Sequence, residues 1–227
     1  MSASPPWMHR SVAILAVLLP ILISPNLPAA EVRWWRRPHD YYSTDARTRH
    51  LLEMVERYHI KPGTEKMERR AYHYAKQDFQ FILTSFPNDP KALLLMGELA
   101  IKTGNPEEAI PYFQSAIRLF PNRSRTYTAY GVFLHRIGKL KQAVARYGEA
   151  LRLDPTSAET HYDLGLAYLA LHDYTLANKH AHIAYRLGYP LPGLQEKLRK
   201  LGKWEPVATQ PDKNTASETS APRDRSP

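Results

Sequence analysis

The ten histidines are the first residues of this 227-residue sequence to consider for chemistry, because there is no cysteine to act as nucleophile, thiolate ligand or disulfide partner. His180 and His182 are two residues apart on a predicted helix, so their side chains point in different directions. His59 and His73 fall on different predicted helices, with no further clustered ligand close in sequence. The histidines therefore predict no metal site.

Enzyme motifs are missing from the sequence as well. It contains no glycine-rich phosphate loop, no nucleophile elbow and no HExxH pair. His161 falls in a column of a repeat described below, where Leu93 and Tyr127 are the equivalent residues, and this favours a packing role. We expect no catalytic residue, no cofactor and no small-molecule substrate.

The charge balance is basic, with 31 Lys and Arg against 22 Asp and Glu and a formal net charge of +9. A basic surface suits acidic partners. The basic residues are scattered, however, and no run of five or six occurs, so nucleic-acid binding is not expected.

The N-terminus has the three-part pattern of a secretory signal peptide. Arg10 precedes an apolar stretch over residues 12–23, and a polar segment ends at Ala30. Pro28 fits poorly three residues before a cut after Ala30, and the basic residues Arg33, Arg36 and Arg37 follow closely. We expect export to the periplasm with cleavage near Ala30; the alternative is an uncleaved anchor in the inner membrane that faces the periplasm.

Several residue types recur with a period of 34. Glycine recurs at 97, 131 and 165, alanine at 75, 109, 143 and 177, and proline at 87, 121 and 155. A 34-residue period with early glycine, central alanine and terminal proline resembles the tetratricopeptide repeat family. The resemblance implies an all-α, right-handed superhelical solenoid of antiparallel helix pairs, in which each glycine faces the alanine twelve residues later.

Turn and capping residues divide the chain further. Gly104, Gly138 and His172 mark turns inside the repeats, Asn105 is a candidate helix cap, and Lys61–Thr64 is predicted to be a turn in an irregular first pair. The predicted divisions are residues 1–30 as signal peptide, 31–43 as an aromatic and basic lead segment, 44–89 as the irregular helix pair, 90–123, 124–157 and 158–191 as three repeats, 192–202 as a capping helix, and 203–227 as a disordered tail.

The resemblance also implies a binding surface, because the first helices of such repeats line a concave groove. By repeat position, the groove residues are Lys91, Leu94, Glu98, Ile101, Lys102, Arg125, Thr128, Val132, His135, Arg136, Glu159, Tyr162, Leu166 and Leu169. This strip is apolar with a basic middle and suits an acidic peptide or protein segment. The carboxylate clamp of chaperone-binding members is absent, since Leu94, Glu98, Ala129, Glu159 and Asp163 replace its lysine, asparagine and arginine positions.

These features predict a non-enzymatic scaffold or adaptor of the cell envelope that binds a protein partner in its groove. One alternative is an adaptor held at the inner membrane by the N-terminal segment. Another is a binder of acidic cell-wall glycan or polysaccharide. The Trp34–Tyr42 segment has three candidate roles: contact with a membrane interface, contact with a partner, or packing across the end of the solenoid.

Overall fold

The computed structural model describes residues 34–205. Of these, residues 34–38 belong to a separate unit that contains a 3-10 turn over Trp34–Arg36, and residues 39–205 form the helical unit. The helices are α1 (Ala46–Glu68), α2 (Tyr72–Ser85), α3 (Pro90–Lys102), α4 (Ile110–Leu119), α5 (Ser124–Arg136), α6 (Leu140–Leu153), α7 (Ala158–Ala170), α8 (Tyr174–Arg186) and α9 (Gly193–Lys200). The predicted signal peptide and residues 206–227 of the predicted tail lie outside the described residues.

The helical unit is a solenoid of helix pairs, as predicted. Successive helices pair as α1 with α2, α3 with α4, α5 with α6 and α7 with α8. The first helix of each later pair also packs on the pair before it. Within residues 34–205, no helix combines the length and the apolar character needed to cross a bilayer.

Turn chemistry explains where the pairs bend. Gly104 and Gly138 have φ angles of 79° and 76°, and His172 has 61°, so the three predicted turns are confirmed in the left-handed region that favours glycine. Asp89 caps α3 by accepting hydrogen bonds from the backbone nitrogens of Lys91 and Ala92 at 2.9 and 3.0 Å. Asn105 occupies the predicted cap position, but its side chain makes no capping hydrogen bond. A 3-10 turn over Pro106–Ala109 follows it and precedes α4.

The first helix pair corrects the sequence analysis. The turn predicted at Lys61–Thr64 does not exist, because α1 continues through Pro62 and Gly63 to Glu68. The chain turns instead after Arg69, where Arg70 has a φ of 60°. Ile60, Gly63 and Met67 are buried along α1, so burial of this face outweighs the poor helix propensity of proline and glycine.

Gly63 therefore extends the helical glycine column to four members, with Gly97, Gly131 and Gly165. A β-carbon added at Gly131 would lie 2.5 Å from Tyr147 Cε1, and one at Gly97 would lie 2.7 Å from Phe133 Cδ2. At these two positions the nearest neighbours are aromatic rings, not the predicted alanines. The absent side chain makes room for a ring between helices.

At Gly63 the nearest atom is Phe79 Cε1 at 2.6 Å, and at Gly165 it is Leu194 Cδ2 at 2.5 Å. The predicted alanine neighbour is confirmed only at Gly165, where the Ala177 carbonyl oxygen lies 3.4 Å away. In all four cases the glycine admits a large side chain into the space between helices.

Gly131 and Gly148 provide a matched test of this packing. We expect Gly131→Leu to lower the free energy of unfolding by about 1–3 kcal/mol or more, because the buried Tyr147 ring has to move. Gly148 lies exposed on α6 with nothing within 4 Å of an added β-carbon. Gly148→Leu should therefore raise stability by about 0.5–1 kcal/mol through helix propensity. Urea unfolding followed by circular dichroism measures both; equal effects would contradict the packing role.

Candidate functional site

The first helices of adjacent pairs present a shared depression, which we call the groove. It is lined by Pro90, Lys91, Leu94, Leu95 and Glu98 of α3, by Arg125, Thr128, Ala129, Val132 and Arg136 of α5, and by Glu159 of α7. Along each helix these positions recur at intervals of three and four residues, so they share one helical face. The Thr128 hydroxyl also lies 2.8 Å from the Thr160 hydroxyl, which ties α5 to α7 beside the groove.

The groove contains eight of the fourteen residues selected from the sequence. These are Lys91, Leu94, Glu98, Arg125, Thr128, Val132, Arg136 and Glu159. Ile101, Lys102 and His135, from the last turns of α3 and α5, do not line it. The selection missed Leu95 and Ala129. Helical spacing could have identified them, because they lie four residues after the groove residues Lys91 and Arg125 respectively.

The three predicted residues Tyr162, Leu166 and Leu169 belong to the C-terminal core instead. Tyr162 is only 9% exposed and its ring stacks on Tyr189 with centroids 4.1 Å apart. Leu166 and Leu169 pack against the same cluster. Helix α9 causes the difference, because it folds back on α7 and α8 and buries Leu194 and Leu198 there. These three residues therefore do not line the groove described above.

Basic and acidic groups occupy different parts of the groove. Among the described residues, Lys91, Arg125 and Arg136 form no ion pair, whereas Glu98 is 3.5 Å from Lys102. Glu159 is also without an ion pair in this part of the chain. The α3–α5 portion therefore presents positive charge beside the apolar Leu94 and Val132, and the α7 portion presents negative charge.

Asp163 is a second carboxyl group next to the Glu159 portion of the groove. It is half-buried one helical turn after Glu159 and is the repeat equivalent of Leu95 and Ala129. Burial raises the pKa of Asp163 to about 7, and the nearby Glu159 carboxylate adds to the rise. A carboxyl group with no cation beside it is a site at which a positive group of a ligand would be stabilised.

The lead segment borders the basic portion of the groove. Asp40 accepts a hydrogen bond from Asn88 Nδ2 at 2.7 Å and another from Arg123 Nε at 2.9 Å. Burial alone would raise the pKa of Asp40, but these hydrogen bonds lower it below its ordinary value. The Arg123 guanidinium also lies over the Tyr42 ring, 5.4 Å from its centroid.

Tyr42 and Arg125 together line a small depression beside this ion pair. Residues 39–42 therefore pack on the solenoid, against the loops after α2 and α4 and not across its end. Residues 31–33 lie outside the described residues.

The histidines make structural contacts. His161 Nε2 lies 3.1 Å from the Pro155 carbonyl oxygen and His161 Nδ1 lies 3.0 Å from His180 Nδ1, so its predicted packing role is confirmed. His59 contacts Asp78, whose second carboxylate oxygen accepts from Lys66 Nζ at 2.6 Å. Residues 34–205 contain no group of three or more His, Asp or Glu side chains placed to hold a metal ion.

The C-terminal boundary of the helical unit also needs a correction. Residues 203–205, assigned from the sequence to the disordered tail, lie along α8. Asn178 donates to the Lys203 carbonyl oxygen at 2.7 Å and accepts from the Glu205 backbone nitrogen at 3.0 Å. Trp204 packs on His182 with ring centroids 4.3 Å apart.

The geometry defines a class, the solenoids of helical-hairpin repeats with a groove formed by their first helices. Family models identify the repeat: one described as tetratricopeptide repeat matches residues 90–123, and one described as TPR repeat matches residues 131–171. The chain therefore contains tetratricopeptide repeats, and proteins of this family are typically non-enzymatic scaffolds for protein–protein interaction. No curated protein sequence matches the chain.

Solved structures with this fold include pilF of Pseudomonas aeruginosa, with 20% identity, a TM-score of 0.51, and coverage of 67% of this chain and 72% of that one. A thermophilic TPR protein from Thermus thermophilus has 24% identity, a TM-score of 0.49, and coverage of 65% and 84%. YrrB, described as a TPR protein with an unusual peptide-binding site, has 20% identity, a TM-score of 0.47, and coverage of 68% and 84%. At 20% identity the likeness to pilF concerns the fold alone.

The raised pKa of Asp163 predicts that the stability of the folded state depends on pH. Because the folded state holds the proton to about pH 7 and the unfolded chain releases it near pH 4, ionisation favours unfolding as the pH rises between these values. Asp163→Asn should therefore be more stable than wild type by about 1–3 kcal/mol above pH 7 and equal to it below pH 4.

Urea unfolding at a series of pH values measures this difference. Glu68→Gln makes the same chemical change at an exposed position of α1 and serves as the control. A constant difference across the pH range would show that Asp163 does not ionise as described.

Proposed function

We propose that this protein is a non-enzymatic adaptor that holds an extended segment of a protein partner in the groove. The observation that carries the proposal is the set of cations without an ion pair among the described residues, Lys91, Arg125 and Arg136, around an apolar strip that includes Leu94 and Val132. Such a surface binds a segment with a carboxylate and an apolar side chain, because charge and apolar contact are offered together.

The order of charges specifies the segment further. Arg125 and Glu159 are equivalent residues of successive repeats, so they are separated by about one helix spacing, ~8–10 Å. An extended chain covers this distance in about three residues. The preferred ligand thus carries an acidic and a basic side chain about three residues apart, with the acidic one at Arg125 and the basic one at Glu159 and Asp163.

The acidic portion also separates this proposal from the glycan alternative. An acidic polysaccharide carries negative charge along its whole length and would be repelled by the Glu159 carboxylate. A peptide with both charges satisfies both portions of the groove, so the observations favour a peptide.

Charge reversal in the groove tests the proposal. A phage-displayed library of random 12-residue peptides selected on the wild-type protein should yield peptides with the spacing given above. Arg125→Glu with Arg136→Glu should weaken their binding by roughly tenfold or more, and the wild-type affinity should fall with added salt. Fluorescence anisotropy measures both effects.

The matched control is Lys141→Glu with Lys179→Glu. It makes the same change in net charge on exposed positions of α6 and α8, and it should leave peptide binding unchanged. Selected peptides that bind the groove variant as well as wild type would place the interaction on another surface.

We also propose that the protein works in the cell envelope as an exported, periplasmic adaptor. The support is the sequence of residues 1–30, where a basic start, a short apolar stretch and a terminal Ala29–Ala30 have the pattern of a signal peptide. The alternative is retention of this segment as an inner-membrane anchor.

Mass spectrometry of the protein from fractionated bacterial cells distinguishes these fates. Export with cleavage predicts a soluble periplasmic protein whose mass is that of a chain beginning at or near Glu31. A full-length mass in the membrane fraction would favour the anchored adaptor, and a full-length mass in the cytoplasm would overturn both.

A further inference from the structure

The first helix pair leaves three large aromatic side chains in solvent. Tyr58 of α1 is 61% exposed, and Tyr74 and Phe81 of α2 are 60% and 51% exposed. Tyr74 and Phe81 are seven residues apart and share one side of α2, and Phe81 contacts His59 of α1 with ring centroids 4.3 Å apart. We call this aromatic surface the N-terminal face.

The later repeats show what this side of a helix pair normally contacts. The residues equivalent to Tyr58 are Ala92, Thr126 and Thr160, and their exposure is only 0–1%. Glu108, the equivalent of Tyr74, binds Lys76 of the preceding pair at 2.6 Å. The N-terminal face is thus the side that a preceding repeat covers elsewhere in this chain.

A second helix pair would therefore fit on the N-terminal face, and the question is which one. The opposite end of the solenoid cannot supply it by stacking head to tail. There α9 buries Leu194 and Leu198 against α7 and α8, and residues 203–205 lie along α8. If two copies of this chain stack end to end, they therefore do so through their two N-terminal faces.

The charges on the face allow such a like-to-like contact. Lys61 and Glu65 of α1 lie in line with Tyr58, three and seven residues further along, and their charged atoms are 4.0 Å apart. In an antiparallel crossing of two α1 helices centred between them, Lys61 of each copy faces Glu65 of the other. A two-fold interface thus pairs opposite charges at its axis, and Tyr58 of each copy lies further along α1 on either side of them.

The apolar area is of the right order for association. A buried aromatic side chain covers about 150–250 Å², so three side chains that are half exposed or more offer on the order of 300 Å² per copy. That equals a large patch for a monomer surface. The ion pairs and aliphatic neighbours along α1 extend it toward the ~800 Å² per partner of a stable interface.

From these observations we infer that two copies of this chain associate through their N-terminal faces in a two-fold dimer. The contact continues the repeat stack across the symmetry axis. It leaves the groove of each copy free, so one dimer presents two peptide sites. The dimer does not depend on the proposed ligand of the groove.

Cross-linking provides a direct test because the chain has no cysteine. Tyr58→Cys in the full chain should be joined to a second copy within minutes at 10 µM protein by a bis-maleimide with a spacer longer than about 15 Å, because the two thiols lie on opposite sides of the axis. Leu201→Cys places the thiol at an exposed position of the C-terminal end and should remain uncoupled under the same conditions.

Sedimentation velocity of the full chain supplies the second measurement. The wild type should dimerise between 1 and 200 µM, and Tyr58→Arg with Phe81→Arg should raise the dimer dissociation constant at least tenfold. Leu191→Arg with Leu201→Arg makes the same change at the C-terminal end and should leave the constant unchanged, while circular dichroism checks folding. A wild type that stays monomeric, or a dimer lost only in the C-terminal variant, would overturn the inference.

Discussion

The structure depends on close contact between helical glycines and large side chains. At Gly63, Gly97, Gly131 and Gly165 a β-carbon would lie within 2.5–2.7 Å of a ring or leucine atom. Gly131 sets the distance between the two helices of one pair, and Gly97 sets the distance between the first helices of two pairs. The same spacing repeats down the chain, so the first helices lie side by side and the groove follows from their alignment.

This constraint explains why the fold was predictable from the sequence. It also explains why the side chains that lie next to the glycines were not. A shared period of 34 residues requires only that equivalent positions have equivalent roles, so the helix pairs and turns could be located. The partner of each glycine depends on the angle between helices, which the period does not specify. Phe133 and Tyr147 lie next to Gly97 and Gly131 for this reason, although the alanines showed the clearer pattern.

At the other places where the structure differs from the prediction, tertiary packing outweighed the local preference of the residues. Pro62 and Gly63 indicate a turn by propensity, yet both lie inside α1 because the face around them is buried. Tyr162, Leu166 and Leu169 occupy groove positions of the repeat, but α9 returns over them, and no repeat pattern encodes where a terminal helix folds back. Leu95 and Ala129 were recoverable from helical periodicity alone. The acidic character of Asp163 was visible in the sequence, whereas its burial was not.

The contact between Asp40 and Arg123 has a consequence for how the solenoid folds. In a repeat array each unit touches only its neighbours, so units can melt one after another from either end. Asp40 binds Arg123, which lies 83 positions later in the chain, and it also binds Asn88 in the loop between α2 and α3. The two loops that it connects enclose α3 and α4, so the repeat at residues 90–123 is held to the first helix pair while this connection lasts. Cooperativity at this end of the molecule thus comes from a segment outside the repeats, which makes the first two helix pairs and residues 39–42 one unfolding unit.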